Sequence, residues 1–184
     1  MENTTPAAQS LFQHAVKHAA ILGVISIVLT LAAYIIDYSL MVSMGFGLFS
    51  FAVYLGYGIY AGIQYRKESG GYLAFGKAFQ HGFITFAISA LISTVFTILL
   101  YTVIDSELPS KLTEASMENA AAMMEKFGAP EDAIEEALAK QKEETEKRFT
   151  AVGMLTGYAF TLIGCAIFAL ISGAVAKRKE PEMQ

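Results

Sequence analysis

The residues with chemistry to offer are three histidines, two sets of hydroxyls and one thiol. His14 and His18 stand four positions apart, the spacing that places two side chains on one helix face, and His81 is the third histidine. Histidines at i, i+4 can begin a zinc site. Here no cysteine accompanies them, no HExxH run occurs and no third ligand stands at a defined spacing. They read as interfacial histidines at the inner membrane surface, and no metal is expected. Cys165 is the only cysteine, which excludes an intrachain disulfide and CxxC chemistry and leaves a small packing residue.

Ser26, Thr30 and Tyr34 recur at i, i+4, i+8 and line one helix face; Ser93, Thr97 and Tyr101 repeat that pattern. Two readings stand. The six form a paired polar track usable by a small polar solute or ion, or they are interhelical glue worth about 0.6 kcal/mol per hydrogen bond. Coupled carriers usually keep a charged residue inside the membrane. Neither run contains one, which favours glue. Paired carboxylates occur only in exposed charge runs. No catalytic or cofactor-binding residue is assigned, and no cofactor is expected.

The elements that carry these side chains announce themselves by charge. Four stretches hold no Asp, Glu, Lys or Arg: His18–Ile36, Tyr38–Tyr65, Ala78–Ile104 and Phe149–Ala176. A helix needs about 20 apolar residues to cross the hydrocarbon core. The chain is 54% apolar, but the segregation of its charges, not that mean, is the membrane signature. The pattern predicts an all-α integral membrane protein with spans at about residues 18–36, 42–65, 79–104 and 150–176 in a single domain over 1–184. The polar N-terminal arm carries no cleavage pattern, so the first span is expected to remain in the mature protein.

Basic residues set the orientation. Lys17, Arg66, Lys67, Lys77, Lys177, Arg178 and Lys179 fall on one side of the four spans, which predicts cytoplasmic N- and C-termini. The segment 105–148 holds six basic and twelve acidic residues, a net charge of −6, and is placed outside. Lys147 and Arg148 run against the rule, but long segments are translocated with little regard to charge.

The chain also repeats itself. Phe12-Gln13-His14 recurs as Phe79-Gln80-His81, and the same offset of 67 pairs Ser26 with Ser93, Thr30 with Thr97 and Tyr34 with Tyr101. Residues 12–36 and 79–103 share ten of 25 positions, where composition alone gives roughly two or three. Arg66-Lys67-Glu68 and Arg178-Lys179-Glu180 close the second and fourth spans alike. The reading is two tandem helical hairpins, each starting and ending inside.

Glycines mark close helix approach. Gly58-x3-Gly62 lies in span two and Gly153-x3-Gly157 in span four, serving either the internal bundle or a homodimer. Gly70-Gly71 makes a turn, after which Tyr72, Phe75, Phe79 and Phe83 form an aromatic face on a short helix entering the membrane. In 105–148, Gly128 stops one acidic amphipathic helix and Pro130 starts a second, expected to run on into the last span.

Four spans, an acidic helical segment before the last one, and the inner-loop run Tyr65-Arg66-Lys67-Glu68 followed by Gly70-Gly71-Tyr72-Leu73-Ala74-Phe75-Gly76-Lys77-Ala78-Phe79 resemble the bacterial membrane family called domain of unknown function 4199. The resemblance covers nearly the whole chain. It implies a bacterial inner-membrane location and carries no ligand or catalytic residue. The chain is therefore expected to be a non-enzymatic scaffold or interaction protein of the bacterial cytoplasmic membrane. The alternative is a small transporter or channel subunit using the Ser/Thr/Tyr track. The expected partners are the lipid bilayer, a protein at the external helices or a second copy of the chain, with no nucleic acid.

Overall fold

A run without charge that lies in lipid must satisfy its own backbone hydrogen bonds, and a helix does so within one segment. The computed structural model describes residues 10–179 and forms six α-helices among them. They are α1 (Leu11–Asp37), α2 (Met44–Glu68), α3 (Phe75–Leu99), α4 (Leu108–Lys126), α5 (Glu131–Arg148) and α6 (Ala151–Ala176). A 3-10 turn, Tyr38–Val42, links α1 to α2, and a π-helical turn, Leu100–Ile104, extends α3. No strand forms among the described residues; Leu73 and Arg178 make one isolated antiparallel bridge. The N-terminal arm and Glu180 lie outside the described residues.

Among the described residues four helices are long and apolar enough to cross a membrane: Leu11–Val42, Met44–Glu68, Phe75–Ile104 and Ala151–Ala176. Even the shortest, at 25 residues, reaches about 37 Å at 1.5 Å per residue, beyond the roughly 30 Å hydrocarbon core.

Local chemistry explains the helix ends. Gly128 takes φ +80°, its N–H reaches the Glu125 carbonyl at 2.8 Å, and the Ala129 N–H reaches Met124 at 3.0 Å. That pair of bonds is a Schellman stop, which needs a left-handed residue. Asp37 ends α1, and its carboxylate accepts the Ser39 N–H at 2.9 Å to start the 3-10 turn. In the π-turn the Asp105 N–H reaches back five residues to the Leu100 carbonyl at 2.8 Å.

Two expectations need correction. The second acidic helix does not run on into the last span: α5 stops at Arg148 and α6 starts at Ala151. Thr150 makes the break, because its Oγ1 accepts the Gly153 N–H at 3.0 Å as an N-cap does. Gly153 completes the corner; a Cβ there would run into the Lys147 carbonyl. The aromatic face also has no short helix of its own. Phe75, Phe79 and Phe83 ride on the first turns of α3, with ring centroids 6.5 and 6.1 Å apart, because the Ala78 N–H already bonds Ala74 and nothing interrupts the ladder.

The chain divides into two compact units. The first comprises Met1–Val24, Ala52–Leu91 and Thr161–Gln184. Its core holds Leu22, Phe86, Cys165 and Ala169, and a second cluster gathers Tyr65, Leu73, Ala78 and Ala176. The second unit comprises Ile25–Phe51 and Ile92–Phe160. There Leu100, Tyr101, Leu108 and Leu112 form the core, and α4 packs on α5 and on the 3-10 turn.

Candidate functional site

The most unusual chemistry in the first unit is a buried histidine–tyrosine cluster. α1 supplies His14 and His18, α3 supplies His81, and α2 supplies Tyr57, Tyr65 and Glu68. The histidines are 1%, 8% and 0% exposed, so they are packed among the helices. Their spacing on α1 was legible; that this face turns toward other helices was not.

His14 Nδ1 lies 2.8 Å from His81 Nε2. One hydrogen serves that contact, so one ring donates and the other accepts, and the pair can hold at most one positive charge. Glu68 Oε2 stands 3.6 Å from His14 Nε2. A carboxylate there favours the tautomer with a hydrogen on His14 Nε2, in which His81 Nε2 donates to His14 Nδ1. His14 Nε2 and His81 Nδ1 are otherwise buried without hydrogen-bond partners. Glu68 is half exposed, so the line Glu68–His14–His81 runs from solvent into the helix packing.

Aromatic stacking holds the rings. Tyr65 lies parallel to His81, with centroids 5.0 Å apart and planes at 9°. His18 stacks on His14 at 4.4 Å, and His18 Nδ1 meets the Tyr57 hydroxyl at 2.9 Å. Thr85 occupies the position on α3 that His18 has on α1 under the 67-residue offset; its hydroxyl donates to the His81 carbonyl at 2.9 Å. The arrangement lets the two rings share one hydrogen. Among the described residues no group of three or more His, Cys, Asp or Glu is arranged to hold a metal ion.

The hydroxyl residues fall in the second unit. Ser26 Oγ meets Ser93 Oγ at 2.8 Å, so that pair satisfies itself. Thr97 bonds back to the Ser93 carbonyl at 2.9 Å, and Thr30 is half-buried. Tyr34 donates to Asp105 Oδ2 at 3.2 Å, whereas Tyr101 is buried edge-on against Phe149. Asp105 is a hub that the sequence reading missed. Its Oδ1 accepts the N–H groups of Glu107 and Leu108 at 3.1 and 3.0 Å, opening α4, while Oδ2 takes Tyr34.

The packing glycines separate into three kinds. A Cβ on Gly58 would enter the Phe86 ring, and one on Gly62 would lie 3.0 Å from Ala176 Cβ, so both sit at close helix approaches. Gly153 belongs to the α5–α6 corner. A Cβ on Gly157 would meet nothing within 4 Å.

These features define an all-α protein with four membrane-length helices and a buried proton-sharing cluster. The chain belongs to the family described as Protein of unknown function (DUF4199), whose model matches residues 17–178. Neither a curated protein nor a solved structure matches it. Family and helices together fit a multi-pass membrane protein.

Proposed function

We propose that the chain is a non-enzymatic, multi-pass protein of the bacterial inner membrane, built as two tandem hairpins with both termini cytoplasmic. It acts by helix packing and by holding the acidic α4–α5 hairpin outside the membrane for a protein partner. One observation carries the architecture: residues 67 positions apart meet in pairs, His14 with His81 and Ser26 with Ser93, both at 2.8 Å. Contacts between equivalent residues are what a duplicated hairpin makes along a local twofold relation. The partner surface is supported by α5, where Glu136–Lys140 and Glu143–Lys147 pairs leave a solvated, mostly acidic face.

The hydroxyls support packing more than transport, because Ser26 and Ser93 bond each other directly. Reporter fusions test the topology. A fusion after Lys179 should read cytoplasmic and one near Gly128 external, in a protein that stays in the membrane after alkaline washing. Opposite signals, or release by the wash, overturn the reading.

A further inference from the structure

A concave feature lies where three chain segments of the first unit meet. The end of α2 contributes Tyr65 and Ser69, the turn before α3 contributes Tyr72, the first turn of α3 contributes Lys77, and the segment after α6 contributes Arg178 and Lys179. Together they line a pocket of about 490 Å³, inside the range of about 300–1,000 Å³ typical of small-molecule sites. Among the described residues three cations line it and no carboxylate does. None of the three forms an ion pair among the described residues.

The pocket is built rather than incidental. Leu73 and Arg178 exchange both backbone hydrogen bonds at 2.9 Å, which pins the segment after α6 to the α2–α3 turn. Gly70 and Gly71, both at φ +88°, let that turn fold back. The Arg178 guanidinium stands over the Tyr72 ring at 6.0 Å, and Arg66 Nη1 donates to the Ala176 carbonyl at 3.2 Å. Three cations held together repel one another, and an anion among them relieves that repulsion. Tyrosine and serine hydroxyls add neutral donors to the lining.

We infer that this pocket binds a phosphate-bearing anion through Lys77, Arg178 and Lys179. Two sources share that chemistry: the headgroup of an anionic phospholipid, and a soluble phosphate compound. The lipid source rests on the proposed membrane placement, which puts these helix ends at the cytoplasmic surface, where basic clusters meet anionic lipid. The soluble source does not need it. Tyr65 forms the inner wall and stacks on His81, so an occupant would sit one ring away from the histidine pair.

The test uses the full chain purified in neutral detergent. Native mass spectrometry and thermal stability are followed with phosphatidylglycerol, with phosphatidylcholine, and with inorganic phosphate alone. Binding of phosphatidylglycerol without inorganic phosphate identifies the lipid headgroup; binding of inorganic phosphate in the absence of anionic lipid identifies the soluble source. Each exposed cation near an anion contributes on the order of fivefold in affinity, so Lys77→Glu with Lys179→Glu should weaken binding by about twentyfold or more. Arg178→Ala should weaken it as well while leaving the backbone bridge to Leu73 intact. Lys140→Ala on α5 removes a charge elsewhere and should change nothing. Binding of neither phosphatidylglycerol nor inorganic phosphate, phosphatidylcholine binding as well as phosphatidylglycerol, or binding that Lys140→Ala weakens as much as the pocket variants do, overturns the assignment. A chain recovered folded without detergent would overturn the membrane reading alone, because the inorganic phosphate arm is still read.

Discussion

Ser26 Oγ lies 2.8 Å from Ser93 Oγ, and the 67 positions between them are also the separation of His14 from His81, whose ring nitrogens meet at the same distance. In each unit α1 therefore touches α3 through equivalent side chains. The Ser26–Ser93 pair satisfies its own hydroxyls, which is how hydroxyls contribute to helix association.

The seam predicts an intramolecular cross-link. Cysteines at 26 and 93 in the hydroxyls' rotamers would bring two sulfur atoms within bonding reach. Ser26→Cys with Ser93→Cys, in a Cys165→Ala background, should oxidise within one chain and shift the monomer's electrophoretic mobility. A product only of dimer size would place the seam between copies instead.

The histidine pair predicts non-additive stability. His14→Leu leaves His81 Nε2 buried without its partner, and the reverse holds for His81→Leu; stranding a buried polar group costs about 1–3 kcal/mol. The double variant removes both groups and should lose less than the sum of the single losses. Thermal unfolding of the four proteins in one detergent measures the coupling, and strictly additive losses would remove the pairing as a stabilising contact.

The glycines predict opposite outcomes for one substitution. Gly58→Ala pushes a methyl into the Phe86 ring, which is 2% exposed and packed edge-on against Phe168, so the ring must shift within packed surroundings. Overpacking of this kind costs about 1–3 kcal/mol, and Phe86→Leu should restore part of it. Gly157→Ala meets open space and should be neutral or stabilising by up to about 1 kcal/mol through helix propensity. Equal effects at the two positions would contradict the packing described.

The ion pair on α5 predicts a pH effect of known sign. The hydrogen bond and charge of Lys147, 2.7 Å away, hold the Glu143 carboxyl below the usual range for a glutamate. A depressed value in the folded state means that the pair supports α5 above the ordinary carboxylate range and that this support fades as pH falls through it. Both groups are exposed, so the effect is small and screened by salt. An NMR titration of Glu143 should move upward in Lys147→Ala; an unchanged midpoint would dissolve the pair.

Parts of this architecture were legible because they are local. Charge segregation marks the four long helices, and Gly128 and Gly70-Gly71 mark the chain reversals, since each needs only neighbouring atoms. The offset of 67 already paired His14 with His81 and Ser26 with Ser93, so the repeat was the signal that could have foretold both contacts. Thr150 beside Gly153 was an available cap signal for the α5–α6 corner, obscured by the continuous helical spacing around it.

What the chain alone determined is where it is apolar and where its backbone must turn, because both follow from composition and from nearest-neighbour geometry. What only the tertiary structure decided is which side of each helix faces another. Helices apolar all round carry no stripe to mark an inward face, and lipid tails are as apolar as neighbouring side chains. The burial of His14, His18 and His81, the joining of Tyr34 to Asp105, and the difference between Gly58 and Gly157 therefore wait on the partners that folding brings to each face.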